Sequence, residues 1–371
     1  MNLLLRKNKN ILIILLLFFN WRIYLFLIAH LAQFLIPKFK TSFVGIEVLT
    51  GSNLPSFVWS FANFDGAHYV SISRSLYKQD FTQAFFPLYP LTIKFFSNLF
   101  AANPVLIALI ISNLSFLIGL IIFFKLLSNL FSQEIALWSC VFLIIFPASF
   151  YFGAAYSEGL FFLVIISSFY LFEKERLLEA SIFGLFASAT RLVGVFLAPS
   201  LIKNLRLKAL TPAIIVPIGL VAYMIYLKIE FNDPLYFLKA QSIFGQERST
   251  TQIILLPQVF WRYVKILATT SGLPLFNAVL ELSSTIFTII LLILASKKVK
   301  KEWLIFSWLA IITPTLTGTL ASMPRYILVA FPIYIVLAHI KSTLIKTTIV
   351  VFSLLILSVC VILFTRGYWV A

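Results

Sequence analysis

Pro104-Val-Leu-Ile-Ala-Leu-Ile-Ile-Ser-Asn-Leu-Ser-Phe-Leu-Ile-Gly-Leu-Ile-Ile-Phe-Phe124 carries no charge over 21 residues, and the charge-free run reaches back to Phe95. A helix needs about 20 mainly apolar residues to cross a bilayer. The stretch meets that requirement, and it is not alone. Ile135 to Ser157 and Trp303 to Pro324 are also free of charge. Across all 371 residues, 61% are hydrophobic and 11% charged, which leaves too little polar surface to cover a soluble globule. An all-α polytopic membrane protein follows.

Outward from that stretch, lysines and arginines divide the chain. Basic turns occur at Arg6, Lys7 and Lys9; Lys125; Lys174 and Arg176; Lys203, Arg206 and Lys208; Lys297 to Lys301; and Lys341 and Lys346. The positive-inside rule puts all of them in the cytoplasm and accounts for most of the +16 net charge. Nucleic acid is not the partner, because such a footprint clusters on one soluble face. The expected spans are about 11–36, 104–124, 135–155, 159–172, a short hairpin in 177–202 turning at Thr190-Arg191, 209–228, 274–296, 303–321, 326–340 and 347–365. That makes about 11 crossings in a single domain, 1–371, with a cytoplasmic amino terminus and an external carboxyl terminus. Met1 to Ile36 begins like a signal peptide but lacks a small-residue cleavage site, so it reads as a retained span.

Two external loops remain, about 37–103 and 229–273. Phe85 to Phe96 and Val259 to Lys265 mix aromatic and basic residues as helices lying in the membrane interface do. Cys140 and Cys360 stand in apolar stretches without metal-ligand spacing and read as packed thiols.

With sides assigned, Asp65, His68, Glu158, Arg191, Asp233, Lys239, Arg248 and Arg325 gather on the external face. Ionisable groups at membrane depth face a bundle interior or cavity. Four also have a plainer reading: Asp65 as an Asx-turn residue, His68 as an ordinary interfacial histidine, Glu158 as a helix-start acid, and Arg325 as a snorkelling span end. Asp65 beside Gly66 suits a base that takes a proton from an attacking hydroxyl, with His68 three residues on. Arg191 at the hairpin tip suits a phosphate or a buried carboxylate. Arg22, His30, Glu281 and His339 read as packing or interhelical polar groups. No phosphate loop, hydrolase elbow or metalloprotease motif occurs. At this level an enzyme and a transporter or flippase for an anionic substrate both fit.

Several separated elements resemble a known family. Asn63-Phe-Asp-Gly-Ala-His-Tyr69 is similar to a Trp-Asp-Gly-x-x-Tyr/Phe element, and Ala84-Phe-Phe-Pro-Leu-Tyr-Pro90 to the Phe-Phe-Pro-Leu-Tyr-Pro element after it. Tyr156-Ser-Glu158, Ala189-Thr-Arg191, Asp233-Pro-Leu235 with Phe237-Leu-Lys-Ala-Gln241, and Pro324-Arg-Tyr326 follow in order. Together they resemble the mannosyltransferases that add the second mannose of glycosylphosphatidylinositol anchors, and their bacterial relatives, in the GT-C superfamily. Phe64 departs from the pattern, standing where that family has tryptophan before the aspartate.

The resemblance implies a GT-C-like bundle that transfers a mannose-like sugar, with inversion, from a polyprenyl- or dolichyl-phosphate donor to a lipid or glycan acceptor. The active site would face outward, at the plasma membrane if the chain is prokaryotic. It implies Asp65 as general base, with His68 and Glu158 beside it, and Arg191, Lys239, Gln241, Arg325, Tyr326 and Tyr89 as donor or substrate contacts. No cofactor is expected. Metal independence is also expected, although a divalent cation between Asp65 and Glu158 stays compatible.

Overall fold

In lipid, backbone polar groups have only each other to bond, so a chain this apolar is expected to be helical. The computed structural model describes residues 2–40, 43–78, 81–203, 210–241, 248–249 and 252–370, and no strand occurs among them. Arg206 and Lys208 lie outside the described residues, as do the side chains of Arg6, Lys7 and Lys9. Twelve described helices have ten or more residues: α1 Asn2–Leu35, α2 Asp65–Ser75, α3 Leu88–Leu99, α4 Pro104–Ser128, α5 Gln133–Ile145, α6 Glu158–Glu173, α7 Leu177–Thr190, α8 Ile218–Phe231, α9 Leu256–Thr269, α10 Gly272–Ala295, α11 Lys301–Thr315 and α12 Thr343–Thr365. Among the described residues, five stretches are helical, long and apolar enough to span: Asn10–Leu35, Pro104–Ser128, Thr211–Phe231, Gly272–Ala295 and Thr343–Thr365. On α1, Leu16, Phe19, Ile23, Leu27 and Leu31 are exposed, the pattern of a helix whose outer face meets lipid.

The 209–228 span is interrupted at Val216-Pro217 and the 303–321 span ends as helix at Thr315, and three others depart further from plain helices. The 135–155 span stops at Ile145, because Pro147 forces Phe146 into extended backbone (φ −54°, ψ 139°). From Ala148 to Ser157 the chain runs as a 3₁₀ turn and irregular backbone, nearly all of it buried. Such backbone survives at membrane depth only inside protein, and here it is stitched in place. Ala155 N donates to Phe61 O (2.9 Å), the Tyr156 hydroxyl to Asn63 O (2.8 Å), and Ser112 Oγ to Tyr156 O (2.8 Å).

The 177–202 segment breaks at the expected place, where Arg191 is extended (φ −153°, ψ 147°). Its return leg is a 3₁₀ turn, Leu192–Phe196, and one helical turn, Leu197–Ser200, rather than a second full helix. Gly194 permits this fold-back, since a Cβ there would lie 2.3 Å from the Ala187 backbone. The 326–340 span is likewise split, into Met323–Ile327 and Pro332–Ala338.

The two aromatic–basic segments form helices, α3 and α9. On α3, Tyr89, Pro90 and Ile93 are buried while Phe95 and Leu99 are exposed; on α9, Val259 and Tyr263 are buried while Trp261 and Val264 are exposed. At the far end of the bundle, Lys300 pairs with Glu173 and Lys346 with Glu134. Glu173 ends the helix that Glu158 begins, so this basic end lies roughly 22 Å from Glu158 at 1.5 Å per residue.

α6 packs closely along α4. Phe116 stacks on Phe152 with centroids 4.1 Å apart, and a Cβ on Gly159 would lie 2.4 Å from Ser112 O and 2.9 Å from Phe152 O. Gly159→Ala is therefore expected to lower the thermal midpoint in detergent, by an overpacking penalty of about 1–3 kcal/mol. An unchanged midpoint would contradict this helix contact.

Candidate functional site

Three segments that the sequence holds far apart meet at the end of the bundle opposite the Glu173–Lys300 pair. The first is the entry to α2. Phe64 adopts φ 58°, ψ −115°, a region that a bulky side chain occupies only under strain, worth about 1–3 kcal/mol. Contacts over-determine that geometry: Asn63 Nδ2 donates to Phe364 O (2.8 Å), and the Phe64 ring lies against Phe43, Phe364 and Trp369. The strained residue sets the direction of Asp65, the first residue of α2. The second segment is the buried run that ends at Glu158, and the third is the split span that carries Arg325.

Arg325 joins the other two. Its Nη1 donates to Asp65 Oδ2 (2.8 Å), while Nε and Nη2 donate to Glu158 Oε1 (3.0 and 2.8 Å). Arg191 Nη1 donates to the same Glu158 oxygen at 2.7 Å. Three N–H donors thus converge on Oε1 while Oε2 is buried without a partner. The Arg325 guanidinium lies over Tyr151 (4.8 Å) and Tyr156 (4.9 Å), and that of Arg191 over Tyr326 (5.1 Å). Planar, weakly hydrated guanidinium groups suit such stacked, buried pairs. Glu158 is 1% exposed and Arg325 6%, whereas the Asp65 side chain keeps 19%. Asp65 is therefore the acid that meets the outside of the cluster.

It opens on a cavity of about 1150 Å³. The charged groups on its wall are Asp65, Lys78, Arg191, Arg248 and Arg325, and Leu192, Val193, Leu238 and Pro314 give it an apolar side. Arg248 is tied by Nη2 to Ala321 O (3.2 Å) and Ser322 Oγ (3.3 Å). The cavity reaches the surface at Val44 and Lys78. Small-ligand sites usually measure about 300–1,000 Å³, so there is room here for more than one small group. Four cations outnumber the two acids beside them, Asp65 and the buried Glu158, which favours an anionic ligand, and a partly exposed carboxylate such as Asp65 can accept a proton.

Of the other expected residues, His68 lines the cavity and stacks on Phe85 (5.2 Å). Burial pushes its pKa below the usual imidazole value, more than nearby Asp65 raises it, so the fold favours the neutral ring. Gln241 and Tyr326 line the cavity too. Tyr89 and Lys239 do not line it. The Tyr89 hydroxyl is buried against Ala108 O and Ser112 Oγ, and Lys239 pairs with Asp233 on the outer surface. Among the described residues, no three His, Cys, Asp or Glu side chains converge as a metal set, and Asp65 and Glu158 are separated by the Arg325 guanidinium.

Arg22 sits on the faces of Phe26 and Phe61, Glu281 accepts from Tyr263, and His339 Nδ1 meets Ile335 O. Sequence reasoning did not anticipate Tyr151, Lys78 or Trp369 in the site. Nothing local marks them.

These features define an integral membrane protein with an acid–arginine cluster at the base of a cationic cavity. The description "Mannosyltransferase (PIG-V)" matches residues 9–205, just over half of the chain, and the chain belongs to that family. GPI mannosyltransferase 2 of Drosophila pseudoobscura pseudoobscura is 29% identical over 109 residues, covering 27% of this chain and 24% of that relative. The chain thus matches about a quarter of that relative's length.

Proposed function

We propose that this protein transfers a mannose-like sugar from a polyprenyl- or dolichyl-phosphate donor to a hydroxyl of a lipid or glycan acceptor, on the non-cytoplasmic face and with inversion. The observation that carries the reading is Asp65 at the cavity wall, with Oδ2 fixed by Arg325 and the side chain still 19% exposed, among arginines suited to a phosphate. Family membership supplies the sugar.

In the reaction the acceptor oxygen forms a bond to the anomeric carbon as the bond from that carbon to the phosphate oxygen breaks. The hydroxyl proton passes to the Asp65 carboxylate, and the leaving electron pair stays on the lipid phosphate. Arg191, Arg248 and Arg325 are placed to stabilise that growing charge, and fixed donors of this kind need no rearrangement during the reaction. The apolar side of the cavity suits an isoprenoid tail entering from the bilayer. The basic turns at the opposite end of the bundle support an outward-facing site.

The test is direct. Purified protein in detergent, given polyprenyl-phosphate mannose labelled in the sugar, should move label onto lipid or glycan acceptors. Label that stays on its original lipid under all acceptor conditions overturns the reading.

A further inference from the structure

After α12 the chain turns back into the cavity, and the turn is fixed residue by residue. Arg366 donates from Nε to Ile36 O (2.7 Å) and from Nη2 to Pro37 O (2.6 Å), while Lys40 N donates to Arg366 O (3.0 Å). Gly367 has φ +82°, and a Cβ there would lie 2.2 Å from Lys40 O, so the position takes only glycine. Tyr368 N returns to Leu363 O (3.0 Å), Asn277 Nδ2 donates to Trp369 O (3.0 Å), and the Tyr151 hydroxyl donates to Val370 O. A segment held at five successive positions delivers one side chain to the cavity wall, that of Trp369.

The Trp369 ring meets Phe64 edge-on (5.2 Å, 90°) and lies 5.9 Å from the Arg325 guanidinium. It therefore flanks both residues that surround the Asp65 carboxylate. Packing alone does not require tryptophan there. Its Nε1 is buried without a partner, a loss of about 1–3 kcal/mol that phenylalanine would avoid. A hexose has one apolar C–H face and a rim of hydroxyls. An indole matches the first of these with a broad apolar face.

Position narrows the ligand further. The reacting carbon must come within about 3–3.5 Å of an acceptor oxygen held at Asp65, so the sugar ring has to lie against the walls next to that residue. On one side those walls are His68 and Phe85, which are already stacked on each other. On the other they are Phe64 and Trp369.

We propose that Trp369 is the sugar-recognition residue of the cavity, packing its indole against the hexose of the donor beside Asp65 and Arg325. The inference rests on the transfer reading above and adds the residue that selects the sugar. Phe64 stands where the resembled motif has tryptophan, and Trp369 brings an indole to the same corner from the far end of the sequence.

The experiment compares binding of two lipids, polyprenyl-phosphate mannose and sugar-free polyprenyl phosphate, to purified wild type, Trp369→Ala and Trp369→Phe. Trp369→Ala should weaken the sugar-bearing lipid about tenfold, which is 1.4 kcal/mol, and leave the sugar-free lipid unchanged. Trp369→Phe should fall between, with a thermal midpoint no lower than wild type, and it carries the test if the alanine variant does not fold. Equal weakening of both lipids would mean that only the fold of the segment was lost, and would overturn the proposal. So would unchanged binding of both. A wild type that transfers mannose while both variants still discriminate between the lipids leaves the reaction standing and removes Trp369 from it. A wild type that transfers no mannose removes the reaction instead.

Discussion

Asp65→Asn is expected to lower sugar transfer by about 10²–10⁴-fold, the usual worth of a positioned general base, while the protein still inserts and folds. The substitution is nearly isosteric, and an amide oxygen still accepts from Arg325 Nη1, so the wall of the cavity keeps its shape. Glu158 stays in place beneath both arginines, so the buried positive charge keeps its main partner. What is lost is the negative charge, and with it the ability to take a proton. Donor binding should not weaken, because the substitution removes a negative charge from a cavity wall that faces the lipid phosphate anion. The measurement is turnover with saturating donor, with binding of sugar-free polyprenyl phosphate as the control. Wild-type-like turnover in the variant would remove Asp65 from the chemistry.

Glu158→Ala should act on stability first. Arg191 and Arg325 direct three hydrogen bonds to one oxygen of this residue, in a region where it is 1% exposed. Removing the acid leaves two guanidinium groups buried, with only Asp65 to share. Breaking a buried ion pair by deleting one partner costs about 3–5 kcal/mol, most of it from the charge left behind. A large fall in the thermal midpoint is the expected result, with transfer lost as Arg325 releases Asp65. Glu158→Gln keeps an oxygen acceptor but not the charge, and should fall between wild type and alanine. If Glu158→Ala melts like wild type, the cluster is not the electrostatic core of the bundle, and Asp65 with the aromatic neighbours suffices to hold Arg325.

Much of the bundle was legible in the sequence because hydropathy and proline act locally. The uncharged run ending at Phe124 became α4, the break fell at Thr190-Arg191, and the two aromatic-basic segments became α3 and α9. The stop at Ile145 was also written in the sequence, since Pro147 bars helix at the residue before it, but a window of apolar residues hides such a stop. Asp65, Glu158, Arg191 and Arg325 could be picked out because charge is rare in this chain and each sits at the edge of an apolar run. Lys239 met the same criterion yet binds Asp233, six residues away. A motif does not say which way a surface side chain turns.

The sequence by itself determined that this protein lives in lipid, that it is helical, and that a few ionisable residues stand apart from the basic turns. A hydrocarbon solvent enforces the first two, and the cost of burying charge enforces the third. The tertiary structure alone decided that Arg325 bridges an acid 260 residues before it and another 167 before it, and that Trp369 closes the same corner. The reason is that such pairings are set by how the helices pack around a buried irregular segment. That packing depends on contacts summed over the whole bundle, and no local stretch of the chain encodes it.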